Sequence, residues 1–268
     1  RAAGDQLPLI RTKVPGPKSR ERVEVLARHE CPAITARRAR RANMLGTADD
    51  DPILWDHALG SNVLDVDGNR YVDLTSGFGV ALVGHRHPAV VAAAHAQTDR
   101  LIHAMGDAWP DATRIRLLER LATVTPEGLD VAILGLSGSD AVDAAIKTAI
   151  LATGRPGVLT FEGGYHGLAL GVVALQGYKP AFTAPFSGVA HPRVVQLPYG
   201  CDPDLVRRAV KKHAVGLVLA EPIQGRGGVR TPPPGWLAAV ADEARLQGAI
   251  FALDEIQTGH GRTGAVWS

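Results

Sequence analysis

From Pro88 onward the chain alternates two hydrophobic rhythms, stretches whose apolar residues recur every three or four positions and short unbroken apolar runs. The spaced stretches predict helices over about 88–104, 112–123, 139–153, 203–213 and 235–247, because residues i, i+3 and i+4 share one helix face. The unbroken runs, at about 130–136, 157–161, 193–197, 216–220 and 249–253, have strand length and no polar alternation, as strands buried on both faces do. Helix and strand taking turns predicts an α/β fold, a mostly parallel sheet with helices on both faces. Ahead of it, the stretch from Val63 to Leu74 alternates around Asp67-Gly68, a β-hairpin signal. Residues 1 to about 50 are rich in Pro and Arg with weak periodicity and read as an N-terminal arm. The expected division is an arm and hairpin over 1–87 and the sheet domain over 88–268.

Composition narrows the function classes. With 268 residues, 46% hydrophobic and 21% charged, the chain has enough apolar material for a sizeable core. A net charge of +2 provides no field that would select nucleic acid or a membrane surface, and the cluster Arg37-Arg38-Ala39-Arg40-Arg41 reads as a solvated helix face. Cys31 and Cys201 form neither a disulfide framework nor a zinc motif, which fits a reducing cytoplasm. No apolar run reaches the roughly 18 residues of a membrane span, and the amino end lacks a signal peptide's apolar stretch. Asp5, Glu21 and Glu24 speak against a transit peptide.

The candidate chemistry lies where the predicted strands end, the edge at which open α/β sheets bind ligands. Ala249–Leu253 runs into Asp254-Glu255-Ile256-Gln257-Thr258-Gly259, and Leu217–Ala220 runs into Glu221-Pro222-Ile223-Gln224-Gly225-Arg226-Gly227-Gly228. Phe161-Glu162-Gly163-Gly164-Tyr165-His166-Gly167 follows a third run, and an aromatic at a sheet mouth can stack on a planar heterocycle. Gly135-Leu136-Ser137-Gly138-Ser139-Asp140 opens a predicted helix, where small residues and free N–H groups suit a phosphate, or where Ser137 or Ser139 simply caps the helix. The same stretch lacks a dinucleotide Gly-x-Gly-x-x-Gly, a P-loop Gly-Lys-Ser/Thr and the last glycine of a nucleophile elbow. His85 and His87 lack a third ligand of suitable spacing for a metal, and capping of the helix at Pro88 accounts for them better.

In this order, these stretches resemble the signatures of the class III aminotransferases, which belong to the fold-type-I pyridoxal-phosphate enzymes. The resemblance runs from about Asn62 to Ser268 and includes Thr75–Pro88, similar to the family's Gly-His-x-His-Pro region. It implies a catalytic, cofactor-binding Asp254 that keeps the cofactor's pyridine nitrogen protonated. It also implies Tyr165 stacked on the ring with Ile256 on the opposite face, Gln257 on the ring hydroxyl, and His166 and Glu221 in supporting places. Gly138 and Ser139 fall in the phosphate cup, where Asp140 replaces the family's Glu, and Phe78 falls on the substrate side. Arg226 replaces a second family Glu that typically pairs with an arginine governing substrate-carboxylate recognition, so Arg226 bears on substrate choice.

The implied function is pyridoxal 5'-phosphate-dependent transfer of an amino group between an amine or ω-amino acid and a 2-oxo acid, by a homodimer. The alternatives are a racemase or epimerase on the same scaffold and a non-catalytic protein that keeps the fold. In this family the Schiff-base lysine follows the Asp-Glu pair by a few tens of residues. The six lysines here, Lys13, Lys18, Lys147, Lys179, Lys211 and Lys212, all precede Asp254, so the chain is expected to be incomplete at its carboxyl end.

Overall fold

The computed structural model describes residues 4–45 and 52–268, and the chain divides into two compact units, 1–109 and 110–268. In the first unit, the segment expected as an arm carries two helices, α1 (Pro17–His29) and α2 (Pro32–Leu45). Each begins at a proline, which is tolerated in a first turn because the missing N–H has no intrahelical partner there. The periodicity of α1 is weak in the sequence because little of it is buried, only Ser19 and Val23.

The hairpin forms as β2 (Asn62–Asp65) and β3 (Arg70–Val72), and β1 (Trp55–Leu59) joins it in the antiparallel order β1-β2-β3. Its turn is built on a buried carboxylate. Asp65 Oδ1 accepts the Asn69 N–H at 2.8 Å, and Oδ2 accepts Asn69 Nδ2 at 2.8 Å and the Tyr71 hydroxyl at 2.7 Å. Burial, then the hydrogen bond to Asp65, pushes the Tyr71 phenol up to about 12.

Past β3, Asp73 organises a loop by accepting the Gly77 N–H at 2.6 Å and pairing with His85 Nε2 at 2.8 Å. The helix α3 (Pro88–Arg100) follows with His87 at its N-cap, but the His87 side chain makes no cap bond. The capping expectation for the two histidines is therefore corrected, since the Asp73 carboxylate engages His85. The His85 hydrogen bond is the main cause that holds Asp73 down to about 2. A carboxyl depressed in the folded state stabilises above its unfolded value and loses that contribution as pH falls. Hydrogen-exchange protection of the Gly77 amide should thus decline between about pH 4 and pH 2, and Asp73→Asn should show the loss already at neutral pH. Protection unchanged by either would contradict the assignment.

The second unit holds α4 (Ala112–Ala122), α5 (Gly138–Thr153), β4 (Gly157–Phe161), β5 (Val194–Leu197), α6 (Pro203–Lys212), β6 (Val215–Ala220), α7 (Trp236–Leu246) and β7 (Ile250–Leu253). The four strands form one sheet, all parallel, in the order β5-β4-β6-β7. Alternate strand residues feed two cores. Leu159, Phe161, Val218 and Ala220 pack with Val206 and Val210 of α6 and Trp236 and Val240 of α7. Val158, Leu217 and Leu219 pack with Val142, Ile146 and Ala149 of α5, so helices cover both faces as the sequence predicts. Phe161 anchors the first core edge-on to Trp236, ring centroids 4.8 Å apart.

One expected strand does not form. The run at 130–136 pairs with no strand among the described residues, and Val131 (88%), Ile133 (77%) and Leu136 (100%) are exposed. Its apolar composition matches a buried strand, but a strand also needs a neighbouring backbone to satisfy its N–H and C=O groups.

Candidate active site

The order β5-β4-β6-β7 places the switch in winding direction at β4, since the chain leaves β4 for β5 on one side and later continues through β6 and β7 on the other. Ligands of open α/β sheets bind at the carboxyl ends beside such a switch. The segments after β4, β6 and β7 carry Tyr165 and His166, Glu221, and Asp254, respectively.

Asp254 is buried against His166. Its Oδ2 lies 2.8 Å from His166 Nδ1, and the two side chains are 4% and 1% exposed. A carboxylate can only accept, so Nδ1 carries the hydrogen of this bond. The other oxygen accepts the Ile256 N–H at 3.2 Å, and the Asp254 N–H donates to Ala220 O at 2.8 Å, which ties the end of β7 to β6. Three hydrogen bonds thus fix Asp254, two on its carboxylate and one on its backbone, in a site closed to bulk water. Gly164 packs over the imidazole so closely that a Cβ there would lie 3.0 Å from His166 Nε2.

Glu221, also buried, uses both oxygens on backbone, accepting the Tyr165 N–H at 2.7 Å and the Gly225 N–H at 3.2 Å. It clasps the loop after β4 to the loop after β6. Burial raises its carboxyl above the ordinary range, with the Tyr165 hydrogen bond pulling the other way. The Tyr199 hydroxyl donates to the carbonyls of Glu221 and Pro222 at 2.9 and 3.0 Å, closing the base of the same turn.

At the start of α5, Ser137 is the N-cap and its Oγ accepts the Asp140 N–H at 3.2 Å. Asp140 reaches back to accept the Leu136 N–H at 2.9 Å, so its short carboxylate has a capping task of its own. Ser139 Oγ accepts the Leu168 N–H at 3.2 Å, which brings the segment after His166 against the helix start. Gly138 lies under Ile256, where a Cβ would come within 2.7 Å of Ile256 Cδ1 and push that side chain aside.

Gly138, Ser139, Tyr165, His166, Glu221, Arg226, Asp254, Ile256 and Gln257 therefore all lie on the carboxyl-edge segments or the α5 start of the second unit. Ile256 is 57% exposed beside Gly138, and Gln257 lies against Gly225, where a Cβ would overlap its Oε1. Phe78 lies in the first unit, 67% exposed in the loop after β3, with a positive φ of 64°. Two residues escaped sequence reasoning. Tyr178 stands edge-on to Tyr165 at 6.5 Å, and Gln224 is buried with Nε2 donating to Glu162 O at 2.9 Å. The apolar run Val172–Leu175 ahead of Tyr178 was the available signal, since three of its residues are fully buried in a turn too short for periodicity.

A family model described as aminotransferase class-III matches residues 46–268. An acetylornithine aminotransferase of Methanopyrus kandleri is 39% identical over 207 residues, covering 76% of this chain and 51% of that protein. Among solved structures, an adenosylmethionine-8-amino-7-oxononanoate aminotransferase from Methanocaldococcus jannaschii superposes with a TM-score of 0.76 at 27% identity, over 81% of this chain and 52% of that one. An ornithine aminotransferase of Toxoplasma gondii, whose structure reveals partial occupancy of PLP at its active site, gives a TM-score of 0.72 at 26% identity, over 85% and 55% of the two chains. The chain spans about half the length of the curated relatives it matches. By the match over 46–268 and the sheet-edge signatures it contains, the chain belongs to the class III aminotransferase family.

Proposed function

We propose that the complete protein transfers an amino group between an amine or ω-amino acid and a 2-oxo acid, using pyridoxal 5'-phosphate. The observation that carries this reading is the buried Asp254–His166 pair at the end of β7, on the same sheet edge as an aromatic loop and a helix start of small residues. These residues fit the cofactor on three counts. Gly138 and Ser139 offer backbone N–H groups at the N-terminus of a 16-residue helix, where the macrodipole favours a phosphate. Tyr165, half-buried, offers a ring face, and Ile256 offers an apolar side chain beside Gly138. Asp254 is an acceptor already stripped of water, suited to keep a proton on a ring nitrogen.

When bound, the cofactor supplies an electron sink for the electron pair left as the substrate loses its α proton. The protein's own residues do the rest. Asp254 holds the proton at the ring nitrogen, His166 fixes the Asp254 carboxylate, Tyr165 and Ile256 cover the ring, and Gln257 takes the ring hydroxyl. Glu221 serves this arrangement by holding the Tyr165 backbone. In this proposal residues 1–87 form an arm and hairpin and 88–268 belong to the cofactor-binding domain. The same reading has a homodimer working in the cytoplasm. Exposed apolar side chains such as Val131 and Leu136 support an assembly, and two free cysteines are compatible with a reducing compartment. No helix among the described residues is long and apolar enough to cross a membrane.

The test is to mix the full-length protein, loaded with pyridoxal phosphate, with candidate amines and no acceptor. Loss of the aldehyde-form absorbance, followed by amino acid formation when a 2-oxo acid is added, is the expected result. Inversion of an amino acid with no net amine transfer would favour a racemase instead.

A further inference from the structure

The amino ends of the strands, at the sheet edge opposite the site above, carry a second concavity. Its volume is about 410 Å³, and it is lined by Arg193, Val194 and Val195 at the start of β5 and by Lys212, His213 and Ala214 at the end of α6. Val195 packs against one core and Val194 against the other, so these lining residues belong to the packed sheet. Both cation-bearing segments are fixed to the start of β4, where the Val158 N–H donates to Arg193 O at 2.9 Å and the Gly157 N–H to Ala214 O at 3.1 Å. Gly157 permits this approach, since a Cβ there would lie 2.8 Å from the carbonyl oxygens of both His213 and Ala214. Ala214 takes φ +48°, a left-handed conformation that an L side chain adopts only where its surroundings impose it.

The charge of this concavity is one-sided. No acidic residue occurs between Glu162 and Asp202 or between Asp204 and Glu221, the stretches that supply every lining residue. On α6, Arg207 and Arg208 pair with Asp204, whereas among the described residues no carboxylate pairs with Arg193 or Lys212. The Arg193 charge is felt nearby. Burial, then that charge, lowers the His191 imidazole, whose Nδ1 accepts the Arg193 N–H at 3.3 Å. A cation near the last turn of a helix answers the helix dipole, which accounts for Lys211 and Lys212 but not for Arg193, which precedes a strand. An arginine fork, an ammonium and an imidazole N–H together supply donors for several oxygens of one tetrahedral oxyanion. We infer that this concavity binds a phosphoryl dianion, held by Arg193, Lys212 and His213. At about 3.3 Å per residue, the five residues of β4 set it about 15 Å from the carboxyl edge. It is therefore a second site, separate from the start of α5, and it does not rest on the transamination reading.

The test is calorimetric titration of inorganic phosphate into the full-length, pyridoxal-phosphate-loaded protein, in which the cofactor's own phosphate place is already filled. The parent should bind phosphate, and more tightly than malonate, a carboxylate dianion. Arg193→Gln and Lys212→Gln should each weaken phosphate about fivefold or more. Arg207→Gln and Lys211→Gln remove the same charge from α6 outside the concavity, and should bind phosphate within about twofold of the parent because exposed charges are screened by salt. All four side chains are exposed, so these substitutions leave both cores intact. An equal loss in all four variants would reduce the site to a diffuse field and overturn the proposal. Unchanged affinity in Arg193→Gln and Lys212→Gln, or tighter binding of malonate than of phosphate, would overturn it as well.

Discussion

Asp254→Ala in the full-length protein should lower turnover by about two to four orders of magnitude, or about 3–5 kcal/mol of transition-state stabilisation, while the fold persists. The proposed task of this carboxylate is electrostatic and is felt when charge develops on the cofactor, so its loss should appear in kcat more than in KM. The substitution leaves the buried His166 Nδ1–H without its acceptor, a cost of about 1–3 kcal/mol that lowers stability without removing the packing that makes the fold. Asp254 is the first residue after β7, outside both apolar clusters, and its backbone bond to Ala220 O does not depend on the side chain. Near-normal turnover in this variant would remove the proton-holding assignment.

His166→Leu should have the largest effect on stability. Removing the donor of this buried hydrogen bond strands the Asp254 carboxylate without compensation, which costs about 3–5 kcal/mol, whereas an exposed contact would cost less than about 1 kcal/mol. With side chains 1% and 4% exposed, His166 and Asp254 belong to the first class. Urea denaturation of the cofactor-free protein measures the loss, and His166→Asn, which can still offer a donor to Asp254 Oδ2, should recover part of it. A change below about 1 kcal/mol in His166→Leu would show that the pair is not coupled to folding.

The two variants probe features that the sequence disclosed unequally. The ends of β4, β6 and β7 were legible because strands buried on both faces leave unbroken apolar runs, and each run stops at Glu162, Glu221 or Asp254. The start of α5 was legible for a local reason, since a cap and the helix it begins are neighbours in sequence. The His166–Asp254 bond was not legible, because its partners are 88 positions apart and the β4–β6 and β6–β7 pairings together bring them into contact. Tyr178 was hidden for the same reason. It meets Tyr165 and Arg226 through a turn whose conformation no periodicity records. In the other direction, α1 was missed because a helix with little buried surface shows no apolar stripe, and the run at 130–136 was overcalled because apolar content does not reveal whether a pairing partner exists. His85 misled in a similar way, since its place before Pro88 suggested a cap while its bond goes to Asp73, 12 residues upstream.

The most direct measurement of the central claim, that Asp254 holds a proton on the cofactor's ring nitrogen, is the ¹⁵N chemical shift of ring-labelled pyridoxal phosphate bound to the full-length protein. The parent should give the shift of a protonated pyridine nitrogen across neutral pH, and Asp254→Ala, reconstituted with the same labelled cofactor, should give that of the neutral ring. A protonated signal in both proteins, or in neither, would contradict the account.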